Sequence, residues 1–153
     1  MSRRFVAIAA LALGGCGQND DPAGADDLYA RVTSGAGFRS WRRAPAFPER
    51  RPSFTSHSDA VDVFVDPNMS AALDGPDIVR SWPAGSIVVK ESFSSDTTTL
   101  IAAMEKKPDG SWFWAEWDAS GKVLFSGKPK VCVECHDNRA RYSDWVYSIE
   151  FPK

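Results

Sequence analysis

Between positions 86 and 126 the chain reads as four extended segments joined by very short turns. Residues 86–93, 97–106, 111–118 and 122–126 are rich in β-branched and aromatic side chains with period-2 alternation. Pro108-Asp109-Gly110 and Ala119-Ser120-Gly121 supply turn chemistry between them. Links this short cannot make a parallel crossover, which takes a dozen residues or more, so these strands form an antiparallel meander. Upstream, Val61-Asp62-Val63-Phe64-Val65 alternates as a further strand and stops at Asp66-Pro67. Residues 67–73 then read as a short helix with proline at its start. Residues 26–32 read as another, with acids in the first turn. Residues 42–58 look irregular, 131–137 a helical turn, and 143–151 a last strand or extended segment. The expected fold class is α+β: an antiparallel sheet of about five strands with a few short helices.

At 153 residues the chain is one domain's length. Its 43% hydrophobic and 25% charged residues exclude wholesale disorder and a coiled coil. The net charge of −2 offers no basic field to nucleic acid. Six Trp, nine Phe and three Tyr suit a compact core or the apolar wall of a cofactor pocket.

Residues 1–15 hold Arg3 and Arg4 followed by a short apolar run, the pattern of a secretory signal peptide and too short to span a bilayer. The run ends in Leu13-Gly14-Gly15-Cys16, which resembles a bacterial lipobox whose cysteine becomes the lipidated N-terminus. The expected organisation is therefore a signal peptide over 1–15, a flexible tether over 16–25 and one folded domain over 26–153. The domain is expected in the periplasm, its only membrane attachment a lipid anchor at Cys16. Position 17 is not Asp, so nothing marks inner-membrane retention, and the outer membrane is the expected site.

With Cys16 assigned to lipid, two cysteines remain, in Cys132-Val133-Glu134-Cys135-His136. C-x-x-C-H is the attachment signature of c-type haem. One helical turn sets the two sulfurs at the spacing of the porphyrin vinyl groups, and the following histidine is aimed at the iron as proximal ligand. A zinc site would need about four ligands, and only His57 and His136 stand beside the two cysteines. A thioredoxin-like pair belongs early in a βαβ unit, which this chain lacks. A disulfide across so small a loop constrains little.

No methionine follows His136, so the arrangement of small electron-transfer cytochromes, with a downstream methionine ligand, does not apply. Met69 and Met104 read as core or loop residues, and His57 as a loop histidine near the haem. One haem c with a five-coordinate iron and an open distal face is expected.

The order Ser56-His57, Val63-Phe64-Val65-Asp66-Pro67, Trp82 to Glu91, Met104-Glu105-Lys106, Trp112-Phe113-Trp114, the haem motif and Asp144-Trp145-Val146-Tyr147 resembles the cytochrome P-460 family, which includes the β-type cytochromes c′. The resemblance implies one haem packed against an antiparallel sheet. It also implies, for cytochromes P-460 proper, oxidation of hydroxylamine to nitrous oxide or nitric oxide, with a lysine amine bonded to a porphyrin meso carbon. That lysine corresponds to Lys90. The β-type cytochromes c′ lack the bond and bind nitric oxide or carbon monoxide behind an aromatic cap. Family members are often dimers, so a homodimer is a further expectation.

Ile87, Val89, Glu91 and Phe93 share one strand face, and Ser86, Val88, Lys90 and Ser92 the other. The pattern alone leaves open which face meets the haem. Lys90 as cross-linking residue and Glu91 as proton acceptor are the candidate catalytic residues, with Glu105 and Glu116 as further carboxylates. Three functions remain on the table: a hydroxylamine oxidase passing electrons to a small redox cytochrome, a nitric oxide or carbon monoxide binding protein without turnover, and a plain electron carrier.

Overall fold

In a computed structural model, which describes residues 20–146 apart from 54, 56 and 78, the alternating segments pair as one antiparallel sheet. The strands are β1 (Arg42–Arg43), β2 (Arg51–Pro52), β3 (Ala60–Val65), β4 (Ile87–Ser94), β5 (Thr97–Lys106), β6 (Trp112–Asp118) and β7 (Val123–Gly127). Their spatial order is β1-β3-β4-β5-β6-β7, with β2 also pairing β3. The chain is α+β, and the described residues form seven strands rather than about five. The two additional ones are two residues long and lie in the stretch read as irregular. They are recruited by β3, through Arg42↔Val65 and Arg51↔Val61, a long-range pairing that leaves no alternation to read.

Three helices cover the sheet: α1 (Pro22–Thr33), α2 (Pro67–Asp74) and α3 (Lys130–Ala140). Alternation along the strands gives two apolar faces. On the first, Phe64, Ile87, Val89, Ile101, Ala103, Phe113, Ala115 and Trp117 pack against Ala25, Leu28 and Val32 of α1 and against Phe38. On the second, Val63, Val65, Val88, Met104, Trp112 and Trp114 pack against Met69 and Leu73 of α2, with Cys132 and Val133 of α3 at the margin.

The helix expected at 26–32 begins at Pro22, inside the segment read as a tether. Asp21 accepts from the Gly24 amide at 2.9 Å and Pro22 takes the first helical position, a stronger start signal than the acids at 26 and 27. Ser126 on β7 bonds both Asp20 and the Asp21 amide, which pins the helix entrance to the sheet. Gly24 permits the close approach: a Cβ there would lie 3.1 Å from the Phe113 ring. Residues 1–19, with the expected signal peptide and Cys16, lie outside the described residues, and within the described residues no helix is long and apolar enough to cross a membrane.

Helix α2 agrees with expectation, with Asp66 capping the Met69 amide at 3.0 Å and Pro67 following it. The C-terminal expectation differs. α3 is a longer helix than the single turn expected, it runs on into a 3-10 turn at Arg141–Ser143, and Asp144 and Trp145 take left-handed φ values of 48° and 69°. Residues 143–146 are thus a turn and not a strand, and 147–151 lie outside the described residues.

Candidate functional site

Strand register builds a floor on the second face. Val63, Lys90, Ala102, Glu116 and Phe125 are successive cross-strand partners from β3 to β7, and Val88, Met104 and Trp114 form the next row. All eight line a cavity of about 370 Å³ between this floor and α3. Small Ala102 between Lys90 and Glu116 leaves room above the sheet. From α3 the cavity receives Val131, Cys132, Cys135, His136 and Arg139, and His57 and Thr55 close another side. Phe125 and Val131, 43% and 57% exposed, sit at its solvent edge.

Lys90 and Glu91 separate at this point. The Lys90 side chain enters the cavity, and it has no hydrogen-bond or ion-pair partner among the described residues. Burial pushes its amine down to about 8, against weak opposing pulls from Cys135 and Glu116. Glu91 lies on the α1 face. There it accepts from Arg39 Nε at 3.0 Å and from the Thr98 hydroxyl at 2.7 Å, so it is not a cavity carboxylate. Glu105 is also on the α1 face, held by Arg31 at 3.0 Å and Lys107 at 2.8 Å. Glu116 is the carboxylate that alternation sends into the cavity, where its Oε2 lies 3.4 Å from His57 Nδ1. That separation is within ion-pair range but is not a well-aligned hydrogen bond. Met69 is fully buried in the core, while Met104 belongs to both the core and the cavity floor.

His136 is set by its surroundings. Its Nδ1 lies 2.7 Å from the Trp145 carbonyl oxygen. A carbonyl only accepts, so Nδ1 carries the proton and Nε2 the lone pair. Its ring meets Trp114 edge-on at 4.6 Å between centroids. Burial pushes the imidazole down to about 4, so it is neutral at neutral pH. A metal-ligating histidine needs this neutral form, with its other ring nitrogen held by an acceptor such as the Trp145 carbonyl. Cys132 and Cys135 are free thiols one helical turn apart, both on the cavity wall, and burial pushes Cys132 up to about 11. Among the described residues no three His, Cys, Asp or Glu side chains gather to hold a bare metal ion.

The donor set fits a haem: two free thiols one helical turn apart on the cavity wall, a neutral histidine with Nδ1 already engaged, and apolar walls from Val63, Val88, Ala102 and Trp114. The sequence signals carried the thiols and the histidine. The polar partner of His136 is a backbone carbonyl, which has no residue signature, and Thr55 carried no signal either.

No curated protein and no solved structure matches the chain significantly. A family model does, that of cytochrome P-460, over residues 35–148. The matched stretch takes in every strand of the sheet and all of α3, and leaves out α1. The chain belongs to the cytochrome P-460 family and is by that membership a haem-binding, iron-containing cytochrome.

Proposed function

We propose that the protein is a periplasmic mono-haem c-type cytochrome that binds hydroxylamine at an open haem face and oxidises it to nitrous oxide or nitric oxide. In this reading Cys132 and Cys135 form the thioethers and His136 ligates the iron. The observation that carries it is the placement of Lys90 and Glu116 on one cavity floor opposite these three residues. A carrier of electrons alone has no use for a half-buried amine and a carboxylate in its haem cavity.

When bound, the haem supplies the iron that takes the substrate nitrogen and the route by which electrons leave. The chain supplies the rest. Oxidation of hydroxylamine sheds protons and electrons in equal number, and Glu116, beside His57, is the acceptor placed to take protons at its Oε atoms. Lys90, with its amine brought down to about 8, holds an appreciable fraction of free amine at neutral pH. That is the form needed for a bond to the haem edge, as the family resemblance implies. Val63, Val88 and Trp114 exclude water from the inner end of the cavity. Electrons pass on to a small redox cytochrome, and the Leu13 to Cys16 segment supports export and lipid attachment at Cys16.

Proteolysis of the holoprotein followed by mass spectrometry tests the reading. The expected product is a haem peptide carrying both the Cys132–Cys135 segment and the Lys90 segment, from a protein that turns over hydroxylamine with an artificial electron acceptor. A haem peptide carrying the cysteine segment alone, from a protein that binds nitric oxide and leaves hydroxylamine untouched, would replace this reading by the non-catalytic one.

A further inference from the structure

A buried ion pair stands behind the turn that holds His136. Lys106, at the end of β5, is 4% exposed, and its ammonium donates to Asp144 Oδ1 at 2.7 Å. Asp144 Oδ2 accepts from the Trp82 amide at 2.8 Å and from the Ser81 hydroxyl at 3.1 Å. Trp112 Nε1 approaches Oδ1 at 3.4 Å, and the Lys106 ammonium lies 5.1 Å from the centre of the Trp112 ring. One carboxylate thus ties together the end of β5, the loop before β4 and the start of β6.

The backbone at this point is strained. Asp144 and Trp145 both adopt left-handed φ, which is uncommon for aspartate and an outlier for tryptophan. Such conformations persist only where the surroundings over-determine them, and they cluster at functional sites. The anchors here are the Asp144 carboxylate and the bonds of the turn itself: Trp145 N to the Ala140 carbonyl at 2.7 Å, and the Ser143 hydroxyl to the carbonyls of Ala140 and Val146. The product of the strain is specific. It aims the Trp145 carbonyl at His136 Nδ1.

We propose that Lys106 and Asp144 are positioning residues for the proximal ligand. By locking the left-handed turn they hold the Trp145 carbonyl on His136, and so set the orientation and basicity of the imidazole that faces the iron. This rests on the reading that His136 is that ligand. A carbonyl accepting from Nδ1–H raises the electron-donating power of the ring. Its loss weakens the iron–histidine bond and favours the ferrous state.

The test uses the haem-loaded protein. The ferrous form is read by resonance Raman for the iron–histidine stretch and by redox titration for its potential, in wild type, Asp144→Asn, Lys106→Met and Lys106→Arg. The expected result is a lower stretching frequency and a higher potential in Asp144→Asn and Lys106→Met, with Lys106→Arg returning both toward wild type. Should Asp144→Asn fail to fold, the two Lys106 variants carry the comparison. Variants that lose thermal stability while frequency and potential stay at wild-type values overturn the proposal, because the pair would then serve the fold alone. A wild-type protein with no iron–histidine stretch, or one abolished by nothing done to His136, would instead overturn the ligand assignment on which it rests.

Discussion

Lys90 and Glu91 are neighbours on β4 and serve opposite faces of the sheet. The amine enters the cavity floored by β3 to β7, and the carboxylate closes an ion pair with Arg39 beneath α1. The two charges therefore experience different physics. Lys90 is desolvated without a partner, whereas Glu91 is desolvated with one bidentate arginine and one hydroxyl.

Replacing Glu91 should consequently cost stability and spare chemistry. Glu91→Ala removes a buried acceptor of charged hydrogen bonds, and Arg39 on the surface can return to water, so the loss is about 1–3 kcal/mol. Urea unfolding should show it, while the haem spectrum and hydroxylamine turnover of the folded variant match wild type. A well-folded variant with no turnover would put Glu91 back into the reaction.

For Lys90 the consequence is a pH dependence. Burial disfavours the ammonium and brings the amine to about 8, so the free amine grows as pH rises toward that value and saturates above it. If the cross-link forms by attack of this amine on the meso carbon, with loss of the meso hydrogen and of two electrons to an added oxidant such as peroxide, its initial rate in reconstituted protein at fixed oxidant should rise roughly 50-fold from pH 6 to pH 8 and level off thereafter. Mass spectrometry of the haem peptide over time measures it. A rate that kept rising in proportion through pH 10 would mean that Lys90 titrates as an ordinary solvated lysine.

That Lys90, Cys132, Cys135 and His136 belong together was legible in the sequence, and one cavity gathers all four. Cys132, Cys135 and His136 stand out because the proposed thioether and iron chemistry would impose this spacing on neighbouring residues. The meander was legible because its turns are short and its alternation clean. The face of β4 was not, since both faces of the sheet are covered, by α1 on one side and by α2 and α3 on the other. A doubly covered strand gives apolar residues on both sides and no polar face to orient it. Partner knowledge was needed: Arg39 for Glu91, and Arg31 with Lys107 for Glu105, leave Glu116 as the carboxylate in the cavity. The turn at Asp144 and Trp145 read as extended because its cause is a tertiary ion pair with Lys106, thirty-eight positions away.

Glu116 should behave as a proton acceptor and not as a structural group. Its cross-strand neighbours Ala102 and Phe125 make no polar claim on it, and His57 Nδ1 lies 3.4 Å from its Oε2. Glu116→Gln keeps the shape and removes the base, so hydroxylamine turnover should fall on the order of 100-fold, while haem attachment and nitric oxide binding persist. Stopped-flow binding alongside steady-state turnover separates the two. Equal loss of binding and turnover would assign Glu116 to shaping the cavity instead.

Acid should loosen the chain through His136. Burial, the largest influence, lowers its imidazole from 6.5 to about 4, outweighing the Trp145 carbonyl, which pulls the other way. Between those values the unfolded chain binds a proton that the folded chain refuses, so stability falls as pH falls from about 6.5 toward 4 and is unaffected by this group above that range. The full effect is on the order of 3 kcal/mol. It applies to chain produced without haem, because ligation would tie the ring up independently. Urea midpoints at pH 7, 5.5 and 4.5 should drop more steeply for wild type than for His136→Asn. That variant keeps a donor for the Trp145 carbonyl and has no proton to take up, so it should be the less stable of the two at pH 7 yet lose less on acidification. Parallel pH slopes for the two proteins would mean that the ring is hydrated in the folded chain, and that the cavity wall at α3 opens more readily than its packing against Trp114 indicates.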